Sequence, residues 1–175
     1  MVQNSEGRCS FTRRGLIAGG AVALGAAAIA ERALGADTAS QGVRSNAFAI
    51  HQEETLSASP QRIFEVLVNA KKFAAMTGLP ARIDPRAGGA FSLFGGVIFG
   101  RNLDVTPYSW LVQAWGDKNW PAGFYSLVRF ELKAQGAGTL LILDHRDIPD
   151  DPDEAEALAR GWKEHYWDLL REFLP

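Results

Sequence analysis

Apolar residues recur along this chain with two different periods, and the switch between them marks out the elements. Phe48 to Leu56 alternates loosely and reads as a strand. Ser59 and Pro60 then make a helix start, with serine as the cap and proline at the first helical position. Ile63, Phe64, Leu67 and Ala70 share one face at helical spacing. A second short helix is predicted from Lys71 to about Thr77, stopped by Gly78. From Ile83 to His145 the pattern becomes short strands separated by turn residues. Gly88 and Gly89 lead into "AFSLF", and Gly95 and Gly96 make a tight hairpin into "VIFGRNLDV". Pro107 breaks the run before "YSWLVQAW", and "GDKNWPAG" reads as a loop. "FYSLVRFELKAQ" and "GTLLILDHRDI" pair across the turn around Gly136 and Gly138. Consecutive strands with short links fold naturally as an antiparallel meander.

The last element carries the strongest signal. Asp151 caps a helix, Pro152 takes its first position, and Glu154 completes a capping box. Ala155, Leu158, Ala159, Trp162, Tyr166, Leu169, Leu170 and Phe173 then recur at spacings of three and four. From Pro152 to Leu174 such a helix is about 34 Å long at roughly 1.5 Å per residue. Its wide aromatic stripe needs an apolar partner, and the sheet is the one surface large enough. The predicted class is therefore α+β. One antiparallel sheet of about six to seven strands wraps a long C-terminal helix, two short helices follow the first strand, and a space remains between sheet and long helix.

Residues before this pattern have a different character. Arg13 and Arg14 precede an uncharged run of 16 residues, Gly15 to Ala30, and small residues close the segment. A basic start, a short apolar stretch and a small-residue end make a secretory signal. Paired arginines point to the twin-arginine translocase as the export partner. Cleavage is expected after Ala36, with Ala30 as the second choice. The run falls short of the roughly 20 residues a bilayer span needs, so no stable membrane anchor is expected. The expected organisation is a signal peptide over 1–36, a polar leader over 37–47 and one domain over 48–175, in the periplasm or outside the cell.

After Ala36 the chain has 14 Lys and Arg against 18 Asp and Glu, a net charge of −4. That balance excludes a basic nucleic-acid footprint. The single cysteine, Cys9, lies before the apolar run, so the domain has no thiolate or disulfide chemistry. His51, His145 and His165 are scattered without metal-ligand spacing, and neither metal nor cofactor is expected.

The order and wording of these segments resemble the helix-grip fold of the SRPBCC superfamily, which includes START, Bet v-like and polyketide cyclase proteins. "LSASPQRIFEVLVNAKKFAAMTG", "GGAFSLFGGVIFGRNLDVTP", "SWLVQAWGD" and "GTLLILDHRDIPDDPDEAEALARGWKEHYWDLLREFL" are similar to the domain named for the activator of heat-shock protein 90 ATPase. The resemblance implies a cavity between sheet and long helix that holds lipids, aromatic compounds or polyketide-like molecules. A minority of such proteins do chemistry there. Chaperone activation does not transfer with the name. The founding activator also uses a separate N-terminal domain, no counterpart is expected here, and export would remove this chain from a cytosolic chaperone.

The resemblance directs attention to the aromatic set Trp110, Trp115, Trp120, Phe124, Tyr125, Trp162, Tyr166 and Trp167. Core packing accounts for most of them. Trp110, Trp115, Trp120, Phe130, Trp162 and Tyr166 are assigned to the cavity, Trp120 at its mouth before Pro121. His145 and Tyr166 are the two candidates for a catalytic acid or base. His145 sits among Asp144, Arg146 and Asp147, which suggests a solvated rim position. Gln113 shares a strand face with Leu111 and Trp115, on either the inner or the outer side. The expected ligand is a small hydrophobic or aromatic molecule. A cyclase or dehydratase using the same cavity, and a chaperone-like module with a filled core, stay open as alternatives.

Overall fold

The computed structural model describes residues 49–175. The export signal, its cleavage point and the whole leader lie outside the described residues. The described chain runs β1 (Ile50–Leu56), α1 (Pro60–Val68), α2 (Ala70–Thr77), β2 (Arg82–Ile83), β3 (Ala90–Leu93), β4 (Ile98–Thr106), β5 (Trp110–Asp117), β6 (Ser126–Gln135) and β7 (Gly138–Arg146). The C-terminal rod follows as α3 (Pro152–Trp162), a π turn (Lys163–Trp167) and α4 (Asp168–Phe173).

Local chemistry sets the ends of these elements. Ser59 Oγ accepts the Arg62 N–H at the start of α1, with Pro60 at the first position. Asn69 ends α1 and caps α2, its Oδ1 accepting from both Lys71 and Lys72 N–H. Gly78 closes α2 at φ 71°, a left-handed conformation that favours glycine. Asp151 Oδ1 accepts the Asp153 N–H at the start of α3.

All neighbouring strands are antiparallel, in the order β1-β7-β6-β5-β4-β3-β2. The six strands β2 to β7 form a meander, and β1 crosses to pair with β7 in register from Ile50↔His145 to Leu56↔Thr139. Gly100, in β4, is the closest backbone approach in the sheet. A Cβ there would lie 1.9 Å from Ala114 O and 2.7 Å from Phe91 Cζ, so no side chain fits opposite Trp115.

The inner sheet face and the rod share one core, with Leu111, Phe130, Leu141, Leu143, Trp162, Trp167 and Leu170 buried in it. Gln52 of β1 ties the two layers. Its Nε2 donates to Ala159 O of α3, and its Oε1 accepts the Trp167 indole N–H. Among the described residues no helix is long and apolar enough to cross a membrane.

The rod departs from an uninterrupted α-helix in one place. At 100° per residue, Trp162 and Trp167 would point about 140° apart. In the π turn the Asp168 N–H reaches back five residues to Lys163 O, which inserts one extra residue into the turn. Trp162 and Trp167 therefore stack at 5.8 Å and 18°. Beyond the turn the inward stripe moves by one position. Trp167, Leu170 and Leu174 are buried, whereas Phe173, expected on the buried face, is exposed.

Candidate functional site

An apolar cleft of about 420 Å³, open to solvent, lies between the rod and the β3–β5 end of the sheet. Its size falls within the range usual for small-molecule sites. Phe94, Val97 and Ile98 supply one side, from the turn into β4 and its first residue. Trp115 and Asp117 come from β5, Leu79 from the segment just after α2, and Glu154, Leu158, Gly161, Trp162, His165 and Tyr166 from the rod. Gly161 leaves the wall bare, since a Cβ there would meet only His165 Cδ2, at 3.9 Å.

Aromatic rings form the floor. Trp115 and Trp162 lie 4.7 Å apart at 33°, and Trp162 and Tyr166 lie 4.5 Å apart at 50°. Phe130 stands behind them, edge-on to Trp162 at 5.6 Å and stacked on Tyr166 at 6.3 Å. Both indole N–H groups are already used inside the protein. Trp115 Nε1 donates to Gln113 Oε1 at 2.9 Å, and Trp162 Nε1 donates to His145 Nδ1 at 3.1 Å. The floor therefore offers apolar ring surface and no free tryptophan donor.

Two buried polar chains hold these rings in place. In the first, Gln113 Nε2 donates to Asn102 Oδ1 at 2.8 Å, and Asn102 Nδ2 donates to Asp84 O at 2.7 Å. Gln113 thus belongs to the inner face, and Trp115 is anchored through it to the turn before β3. In the second chain His145 Nε2 lies 2.7 Å from Ser126 Oγ. An indole N–H only donates, so Nδ1 of His145 is an acceptor and Nε2 carries the proton. Ser126 Oγ accepts that proton and donates its own to Trp115 O at 3.4 Å.

His145 is therefore not a solvated rim residue. It is fully buried, and desolvation pushes its pKa down to about 3. Its ring is neutral and both nitrogens are occupied by protein groups, so it presents no free base to a ligand. The expectation failed because the charges around His145 sit on neighbouring positions that face outward: Arg146 is exposed, and Asp144 bonds to His51 on β1.

Tyr166 is also neutral. Burial raises its hydroxyl well above the usual tyrosine value. Its Oη has no hydrogen-bond partner among the described residues, although the ring lines the cleft. No base accompanies it, so the geometry supplies a buried donor and no proton-transfer pair.

Other assigned residues fall elsewhere. Trp110 does not line the cleft. It is 38% exposed on the outer face, bonded to Asp104 and covered by the Arg129 guanidinium at 5.8 Å. Trp120 stands beside the mouth, its Nε1 donating to Glu154 Oε1 at 2.7 Å. Glu154 accepts this bond instead of completing the expected capping box. Sequence reasoning missed Phe94, Val97 and Ile98 as a wall, because they follow a turn whose path only the folded sheet defines. Among the described residues no group of three His, Cys, Asp or Glu side chains is placed to hold a metal.

Comparison with known proteins fits this geometry. The family model described as activator of Hsp90 ATPase homolog 1-like protein matches residues 57–174. The chain belongs to that family. The human activator of 90 kDa heat shock protein ATPase homolog 1 is 27% identical over 131 residues, covering 75% of this chain and 38% of the human protein. The Dictyostelium discoideum homologue is 33% identical over 120 residues, covering 68% of this chain and 31% of its own length. The chain thus spans less than two fifths of these curated relatives. Among solved structures, an HSP90 activator from Plasmodium falciparum superposes with a TM-score of 0.69 at 25% identity, covering 73% of this chain and 98% of that one. CalU16 from Micromonospora echinospora, at 23% identity and a TM-score of 0.61 over 71% of this chain and 74% of its own, shares the fold.

Proposed function

We propose that this domain binds a small apolar molecule, with an aromatic ring or similar flat body, in the cleft between rod and sheet. One observation carries the reading: Trp115, Trp162 and Tyr166 floor an open cleft, and the indole N–H groups are turned to internal partners. Binding there is desolvation of the guest against ring faces. The site also counts against acid–base catalysis, because both ring nitrogens of His145 are engaged by protein groups and its burial makes it a weak base, while Tyr166 Oη has no proton-transfer partner among the described residues. Residues 1–36 are read as an export signal with Arg13 and Arg14 as its recognition pair, which predicts a processed chain beginning at Asp37. Contact with a 90 kDa heat-shock chaperone is the second reading. It is favoured by the names of the relatives, and it requires a chain that stays in the cytosol.

Titration with neutral 1-naphthalenemethanol, followed by the indole N–H resonances, tests the first reading. The Trp115 and Trp162 signals should move saturably, with a Kd on the order of 0.1 mM for a ligand this small. Trp110, on the outer face, should stay still. Movement of Trp110 alone, or of no indole signal, contradicts the reading.

A further inference from the structure

The lip of the cleft differs chemically from its floor. Asp117, at the end of β5, and Glu154, in the first turn of α3, both line it, and no lysine or arginine does. Each carboxylate has a neutral partner. Asp117 Oδ1 accepts the Asn119 N–H at 2.8 Å, and Glu154 Oε1 accepts the Trp120 indole N–H at 2.7 Å. Neither forms an ion pair among the described residues, whereas many other surface carboxylates do. The rod's nearby cations are engaged elsewhere: Arg160 with Glu156 at 4.0 Å and Lys163 with Asp168 at 2.6 Å. Two carboxylates without an ion-pair partner among the described residues thus border an apolar cavity, where a low-dielectric wall strengthens their field.

We propose that the guest of this cleft is an organic cation, its apolar body on the tryptophan floor and its ammonium group at the Asp117–Glu154 lip. The inference rests on the cleft being a binding site and adds the charge it selects. An anionic amphiphile such as a fatty acid meets repulsion at the same lip. A neutral compound gains the floor alone.

Three probes with one naphthalene body separate these terms: (1-naphthylmethyl)trimethylammonium, 1-naphthalenemethanol and 1-naphthaleneacetate. The permanent charge of the first removes any titration of the ligand. The full chain should bind the ammonium about fivefold tighter than the alcohol, as two partly exposed carboxylates allow, and the alcohol tighter than the acid. Raising salt should shrink both ratios. The double substitution Asp117→Asn with Glu154→Gln keeps an acceptor for Asn119 and Trp120 and should bring the ammonium-to-alcohol ratio within about twofold of unity. Each single variant should fall between, and Glu164→Gln, which lies outside the lining, should keep the wild-type ratio. Thermal unfolding of each variant confirms that the fold is intact. Equal binding of all three probes, a preference for the acid, or an ammonium preference that survives the double substitution overturns this proposal and leaves the cleft as a site. Failure of all three to bind overturns the cleft reading, and this proposal with it.

Discussion

Trp162→Ala will lower the unfolding free energy by about 3–5 kcal/mol, the cost usual for truncating a buried tryptophan. Trp162 is 3% exposed and touches the rings of Trp115, Phe130, Tyr166 and Trp167. Among the described residues its indole N–H is also the one donor to His145 Nδ1. Alanine therefore leaves a cavity beneath the cleft and a buried acceptor without a partner. Trp162→Phe separates the two effects, because it keeps a ring and loses the N–H, and it should cost about 1–3 kcal/mol. Urea unfolding of both variants gives the comparison. A loss below about 1 kcal/mol for the alanine variant would show that the rod does not depend on this contact.

The second large effect is an acid sensitivity set by His145. Unfolded, the imidazole has an ordinary value near 6.5; folded, burial holds it at about 3. Between these values the unfolded chain binds one more proton than the native one, so stability rises with pH there. The contribution is complete above pH 6.5 and is lost progressively as the pH falls toward 3. From pH 7 to pH 5 the expected loss is about 2 kcal/mol from this one group. His51 works in the opposite direction, since its hydrogen bond to Asp144 raises its value, but it is exposed and its share is small. His145→Gln isolates the buried group. The variant should be less stable than wild type at pH 7, and the gap should close by about 2 kcal/mol at pH 5. A gap that stays constant between the two pH values would mean that His145 is solvated or charged in the native state.

Sequence periodicity carried most of the fold, because each element has one buried face and strong end signals. The crossing of β1 to β7 was not legible, since pairing across 83 to 95 positions leaves no local mark. Errors at the site have specific physical origins. Trp110 and Trp115 are five residues apart on one strand, so alternation puts them on opposite faces. Assigning both to the cavity overlooked that parity. The same parity places His145 inside with Leu141 and Leu143, against the impression made by its charged neighbours. Trp167 was left off the helical stripe because a period of 3.6 puts it there, and the π turn brings it in. Nothing in the spacing of "GWKEHYW" announces that turn. Asn102 and Gln113 look like ordinary strand polar residues until the β4–β5 register sets them side by side.

A guest held in the space between rod and sheet should stay with the protein through gentle purification. Native mass spectrometry of the protein purified from its own host, without denaturation, tests it most directly. The expected species is a chain beginning at Asp37 with a non-covalent adduct of small-molecule mass, retained on gentle ionisation and lost on unfolding. Bare protein in every preparation, together with no uptake of the ammonium or alcohol probe, would contradict it.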